Sequence, residues 1–139
     1  MSWLVDTNVI SELRKGSRAD PGVRTWHDAV ADDELFLSVL VLGEIRTGIE
    51  RARRTDERQA LALENWLGQV EIAFAEAILP VSHEVADAWG RFHAVRPVPV
   101  VDGLLASTAL VHGLTLVTRN IGDVQDLGVS LLNPFSGQN

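Results

Sequence analysis

At 139 residues, 46% of them apolar and 22% charged, the chain has the size and makeup of one folded domain, which excludes wholesale disorder. Twelve Lys and Arg against 19 Asp and Glu leave a formal charge of −7, which excludes attraction to nucleic acid by bulk charge but not a nucleic-acid enzyme that works through bound metal. The absence of cysteine excludes a disulfide scaffold, a thiolate zinc site and a cysteine nucleophile.

In chain order, Trp3-Leu4-Val5 is a short apolar run that ends at a polar cluster, Asp6-Thr7-Asn8, and a short helix is expected over Val9 to Arg14. The start has neither a basic stretch nor a long apolar run, so no signal peptide is expected there. Gly16 to Gly22 reads as a loop and Val23 to Val30 as helix, followed by a buried strand at Leu35-Phe36-Leu37-Ser38. Leu40, Val41, Ile45, Gly48, Ile49 and Ala52 recur at helical spacing. Asp56 caps a further helix reaching about Phe74, with Ala60, Leu63, Leu67 and Val70 inward. Ile78-Leu79-Pro80-Val81 is a short strand whose proline assigns it to an edge or a strand end. Ser82 caps a helix towards Ala94, and Arg96-Pro97-Val98-Pro99 interrupts it because proline lacks the amide. The next helix starts near Asp102 and stops at His112-Gly113, followed by a strand at Leu114 to Val117 and a last one at Ser130-Leu131-Leu132. Gly103 to Thr118 is free of Asp, Glu, Lys and Arg, but its polar interruptions make it too short to span a membrane, so a soluble, cytoplasmic protein is expected.

Strands separated by helices imply an α/β fold with a mainly parallel sheet, in which ligands gather beyond the carboxyl ends of the strands. That geometry singles out four acids. Asp6 follows the first strand, and Asp123 follows the Leu114–Val117 strand after a loop over Thr118 to Gly122. Asp102 shares a helix face with Leu105, Ala106 and Ala109, and Glu44 shares one with Leu40, Val41 and Gly48. Acids aligned with apolar stripes are costly unless compensated, and a hard divalent cation with oxygen ligands is the natural compensation. The chemistry this favours is metal-assisted hydrolysis of a phosphodiester. Each acid also has an ordinary role open to it: Asp6 and Asp102 as helix caps, Asp123 in a turn, Glu44 paired with Arg46 or Arg119. Thr7, Asn8, Ser38, Thr118 and Asn120 stand beside the acids as neutral groups able to orient carboxylates or waters, and Arg119 is a candidate for substrate phosphate. The arginines from Arg46 to Arg58 alternate with acids and read as a solvated helix end. The histidines show no zinc spacing, and no phosphate-binding glycine loop is present.

Four segments together resemble the PIN-domain family. They are Leu4-Val5-Asp6-Thr7-Asn8-Val9-Ile10-Ser11-Glu12; Leu37 to Gly48 around Glu44; Val101-Asp102-Gly103-Leu104-Leu105-Ala106-Ser107-Thr108-Ala109; and Thr115-Leu116-Val117-Thr118-Arg119-Asn120 with Asp123. Asn133-Pro134-Phe135 is similar to the usual ending, so the resemblance covers essentially residues 1–139 as one PIN domain, and the VapC toxins with their FitB-like members look nearest.

The resemblance implies a parallel sheet of about five strands between helices, and a Mg²⁺- or Mn²⁺-dependent endoribonuclease that is the toxin of a type II toxin–antitoxin pair. It implies Asp6, Glu44, Asp102 and Asp123 as the catalytic tetrad, Asp6 and Asp102 as primary metal ligands, and Glu44 and Asp123 as direct or water-mediated ones. It further implies an RNA substrate, a homodimer, and a VapB-type antitoxin that occludes the site and carries the DNA-binding part of a larger complex. The chain departs from the family where Val124 follows the fourth acid, a place where relatives often carry phenylalanine; Asp126 is the second candidate for that acid. Two competing classes lack their residues: a phosphoacceptor domain needs a lysine near a late strand, and the only lysine is Lys15, while a haloacid-dehalogenase-like phosphatase needs an acid where Asn8 stands.

Overall fold

A computed structural model describes residues 1–137, so the last two residues of the expected 1–139 unit lie outside the described residues. Five short strands, β1 (Trp3–Val5), β2 (Leu35–Ser38), β3 (Ile78–Leu79), β4 (Thr115–Val117) and β5 (Leu131–Leu132), form one sheet in the order β3-β2-β1-β4-β5. All four pairings are parallel, with Leu4 opposite Phe36 on one side and Leu116 on the other. Parallel pairing requires crossovers, and the intervening helices supply them. They are α1 (Thr7–Leu13), α2 (Pro21–Ala29), α3 (Val39–Arg53), α4 (Glu57–Ala73), α5 (His83–Val95), α6 (Val100–His112) and α7 (Ile121–Val124). Among the described residues, no helix is long and apolar enough to cross a membrane.

The core follows from the strand sequences. Leu4, Val5, Leu37, Leu116 and Val117 are buried, as a sheet covered on both faces requires. Val41, Ile45 and Ile49 of α3 and Leu105, Ala106 and Ala109 of α6 complete the cluster. Each such leucine contributes about 1.5–3 kcal/mol by leaving water.

Helix starts are set by side chains that satisfy free amides. The hydroxyl of Ser38 accepts from Leu40 N at 3.0 Å, Asp56 accepts from Gln59 N at 3.1 Å, and Ser82 accepts from Val85 N at 3.2 Å. Gly113 ends α6 with φ 65°, a left-handed conformation that glycine adopts at little cost.

Several boundaries differ from the sequence reading. The first helix begins at Thr7 rather than Val9, because Asp6 caps it. The loop expected over Gly16 to Gly22 contains a 3-10 turn at Gly16–Arg18 and the start of α2, whose cap Asp20 accepts from Gly22 N and Val23 N. Asp20 also receives the amide and hydroxyl of Ser136, tying the C-terminal segment onto α2. Gly22 makes this docking possible, since a Cβ there would lie 2.4 Å from the Pro134 carbonyl oxygen. The strand before Pro80 covers only Ile78–Leu79 and lies at the sheet edge, the place its proline allowed.

Candidate active site

Strands β2 and β3 lie to one side of β1, while β4 and β5 lie to the other. The order reverses between β1 and β4, and a crevice opens where the chain leaves these strands in opposite directions. Asp6 and Thr118 are the first residues beyond β1 and β4, and the amide of Asp6 extends the ladder to the Val117 carbonyl at 2.9 Å. Both sit at this point, and both are buried, Asp6 being 5% exposed and Thr118 1%.

Three groups hold the Asp6 carboxylate. Its Oδ1 accepts from the Thr7 amide at 2.7 Å, which is the cap of α1. Its Oδ2 accepts from the Thr118 hydroxyl at 2.7 Å and from Asn8 Nδ2 at 3.4 Å. The Thr118 hydroxyl in turn accepts from the Asn120 amide at 3.0 Å, and Asn8 Oδ1 accepts from the Arg119 amide at 3.2 Å. These bonds lock the turn after β4 to the start of α1. Burial pushes the Asp6 carboxyl up, and the bonds from Thr118, Thr7 and Asn8 pull it back without cancelling the rise.

Glu44 is exposed, at the open margin of the pocket rather than inside it, which corrects the inward orientation read from its helical stripe. The Thr7 hydroxyl donates to its Oε1 at 2.6 Å, so Thr7 bridges Asp6 and Glu44. Neither of the arginines expected as alternative partners takes it: Arg46 binds Glu64 and Glu50. Asp102 is the third residue of α6, whose cap position is Pro99, so Asp102 is not the helix cap that its location suggested. Its carboxyl is pushed up to about 6 by burial first, then by the negative charges of Asp6, Asp123 and Glu44, and by a side-chain hydrogen bond with Asp123. Asp123 is exposed and stands in the short helix α7, which begins inside the loop expected over Thr118 to Gly122 and replaces the turn open to Asp123. Asp126 is exposed in a left-handed turn with φ 75°.

The four acids therefore share one electrostatic space, in which Thr7 links Asp6 to Glu44 and Asp102 feels the charge of the other three. Among the described residues, no three acidic or histidine side chains are grouped tightly enough, as they stand, to hold one ion. The donor chemistry nevertheless fits a hard divalent cation: every group is an oxygen, and the repulsion felt by Asp102 is the kind that a cation relieves. Of the supporting residues, Thr7, Asn8 and Thr118 touch the acids directly. The Ser38 hydroxyl caps α3 and so sets the helix that carries Glu44, and Asn120 contributes its amide to Thr118. Arg119 lies at the rim, its guanidinium 4.2 Å from the centre of the Phe135 ring. Of the polar residues at the site, the sequence reading missed Arg96, which donates to the main-chain carbonyls of Asp123 and Gln125 at 3.3 and 2.8 Å. Only its position between the prolines and the preceding helix marked it. A separate cavity of about 290 Å³, where Arg14, His27 and Asp32 join Leu13, Trp66 and Phe74, is lined by none of the four acids.

The PIN domain model matches residues 3–123, from the first strand to the fourth acid. The chain is 30% identical over 137 residues to the VapC ribonuclease Y4jK of Sinorhizobium fredii, covering 95% of this chain and 96% of that protein. It is also 30% identical over 137 residues to the toxin FitB of Neisseria gonorrhoeae, covering 95% and 97%. Among solved structures it is similar to FitAcB from Neisseria gonorrhoeae, with a TM-score of 0.84 at 30% identity over 95% of this chain and 97% of that one. It is equally similar to FitAB bound to the IR36 DNA fragment, with a TM-score of 0.84 at 27% identity over 99% and 98%. With the strand order, the converging acids and the matched length all in agreement, the chain belongs to the PIN-domain family.

Proposed function

We propose that residues 1–139 form a single PIN domain acting as an endoribonuclease, the toxin of a VapBC-type toxin–antitoxin pair. It hydrolyses RNA phosphodiester bonds at Asp6, Glu44, Asp102 and Asp123 with Mg²⁺ (or Mn²⁺). The observation that carries this reading is the charge felt by Asp102 from acids on three other elements, Asp6 after β1, Glu44 on α3 and Asp123 on α7. A folded protein keeps such a cluster against its own repulsion when a function needs it.

Asp6 and Asp102 would hold the cation, with Glu44 and Asp123 as direct or water-mediated partners. When bound, the cation supplies an activated water and stabilises charge on the phosphoryl oxygens. The rest is the work of the chain itself. Thr118, Asn8 and the Thr7 amide fix both oxygens of Asp6, so that it meets a ligand without reorganising. The Thr7 hydroxyl holds Glu44 towards the pocket, against its tendency to swing into solvent. Without the cation, burial and the neighbouring acids hold the Asp102 carboxyl up to about 6, so a bound cation favours its ionised form. Arg119 at the rim offers a cation to the phosphate of an RNA strand, which a chain of charge −7 does not otherwise attract.

The partners in this reading are RNA, a VapB-type antitoxin that covers the acids and carries the complex onto DNA, and a second copy of the chain. The relationship to FitB and the similarity to the DNA-bound FitAB complex support the antitoxin and DNA assignments. Exposed Val95, Val100, Leu110 and Val111 on α5 and α6 supply apolar surface for a homodimer. The test is cleavage of RNA by purified protein with Mg²⁺ or Mn²⁺ and with chelator, beside Asp6→Asn. Cleavage should need the metal and be lost in Asp6→Asn; wild-type rates in that variant would refute the assignment.

A further inference from the structure

Of the four acids, Asp123 has the weakest local support. It is carried by a helix of four residues with no side-chain cap at Asn120, and the chain leaves that helix through extended Gln125 and left-handed Asp126. A single turn of helix does not hold itself together in water. α7 packs against α6, the helix that carries Asp102, so the placement of α7 sets the separation of the two acids. Burial of Val124, 1% exposed, anchors one side of α7. The main chain at its C-terminal end needs a second anchor.

Arg96 supplies it. We propose that Arg96 is the positioning residue for Asp123, its guanidinium clamping the main chain of α7 to the junction between α5 and α6 and thereby setting how far Asp123 stands from Asp102. One nitrogen, Nη2, donates to the Asp123 carbonyl at 3.3 Å and to the Gln125 carbonyl at 2.8 Å. The other end of the clamp is stiff. Arg96 is the C-terminal cap of α5, its amide bonded to the Phe92 carbonyl at 3.2 Å. Pro97 and Pro99 restrict φ in the connection that follows. α6 is then pressed against α5 at Gly103, where a Cβ would meet Val98 Cγ2 at 2.7 Å and Trp89 Cδ1 at 3.0 Å. Asp102 is the residue before that contact, so the path from Arg96 to Asp102 has little play. A planar, permanently charged guanidinium suits the task, since it bonds two carbonyls without a protonation equilibrium of its own.

The inference rests on the ribonuclease reading of the site, and its test separates the two. Full-length wild type, Arg96→Met, Arg96→Lys and Asp123→Asn are compared, with the double variant Arg96→Met/Asp123→Asn. In metal-free protein, amide hydrogen exchange over residues 120–126 should speed up by about tenfold or more in Arg96→Met, by less in Arg96→Lys, and stay unchanged in β1 and α3. In RNA cleavage, Arg96→Met should lower kcat by about 10–100-fold with little change in KM, raise the Mg²⁺ concentration for half-maximal rate, and be partly rescued by lysine. Added to Asp123→Asn, it should cost nothing further. Unchanged exchange over 120–126, or a full additional loss in the double variant, overturns the clamp. Should Arg96→Met fail to fold, Arg96→Lys carries the same comparisons. A wild type that cuts no RNA refutes the nuclease reading, while the exchange measurement still decides the clamp.

Discussion

The most exacting test of the pocket is Thr118→Val, which removes one hydroxyl and almost no volume. Thr118 is 1% exposed, and its hydroxyl donates to Asp6 Oδ2 at 2.7 Å while accepting from the Asn120 amide at 3.0 Å. A hydrogen bond to a charged group contributes about 1.5–3 kcal/mol, and the substitution also strands the Asn120 amide. The expected loss in chelator at neutral pH is therefore about 2 kcal/mol, which lowers Tm by roughly 6 °C in a chain of this size. The sign of its pH dependence follows from Asp6. Burial holds the Asp6 carboxyl above its ordinary value, so its ionised form costs stability as pH rises, and the Thr118 bond offsets part of that cost. Loss of the bond should hurt most at pH 7–8 and least below the ordinary value of 3.8, where Asp6 is protonated in both the folded and unfolded chain. Urea titrations of wild type, Thr118→Val, Asp6→Ala and the double variant should give a coupling of about 1–2 kcal/mol. Additive losses, or a Thr118→Val deficit under about 0.5 kcal/mol, would refute the argument that this hydroxyl stabilises a buried carboxylate.

Asp102→Asn should stabilise the metal-free protein at pH 8. A carboxyl raised to about 6 makes the fold less stable as pH climbs through that value, and for this partly buried group solvent screening leaves about 1 kcal/mol of the effect. The gain should vanish near pH 4, and millimolar Mg²⁺ should raise the Tm of wild type but not of the variant; equal melting curves in chelator at pH 8 would count against the repulsion. Gly103→Ala should lower the urea midpoint by an amount worth about 1–3 kcal/mol, because the new methyl meets Val98 Cγ2 at 2.7 Å and a stiff, buried valine yields little. For Asp20, held down to about 2 by the hydroxyl and amide of Ser136, a carbon-detected NMR titration should find a midpoint well below the ordinary value of 3.8. The stability from this carboxylate is present above 3.8 and lost as pH falls towards 2, so Asp20→Asn should release the C-terminal segment to protease at pH 5 as readily as acid does in wild type.

What was legible in the sequence, and what was not, divides along the range of the interactions involved. Alternating apolar runs and helical stripes fix the order of strands and helices, because burial of Leu4, Leu37 and Leu116 is dictated by their own immediate neighbours. Asp6 could be placed because it directly follows a strand, and everything at that boundary of a parallel sheet faces the same crevice. Glu44 was harder. Its helical stripe is genuine on the side of Val41 and Ile45, yet the side chain ends in solvent, since a pocket margin satisfies a carboxylate without burying it. The same ambiguity hid Asp20, whose capping of α2 is local, but whose bonds to Ser136 span 116 residues and leave no periodic trace. Arg96 is the extreme case. Its partners are carbonyl oxygens, which every residue carries, so no pairing of side-chain types along the chain could have announced them. The acids of such a pocket can be read from a sequence because their chemistry is in the side chain. The residues that hold those acids at the right separation act on backbone, and they become visible only once the fold has brought the backbone to them.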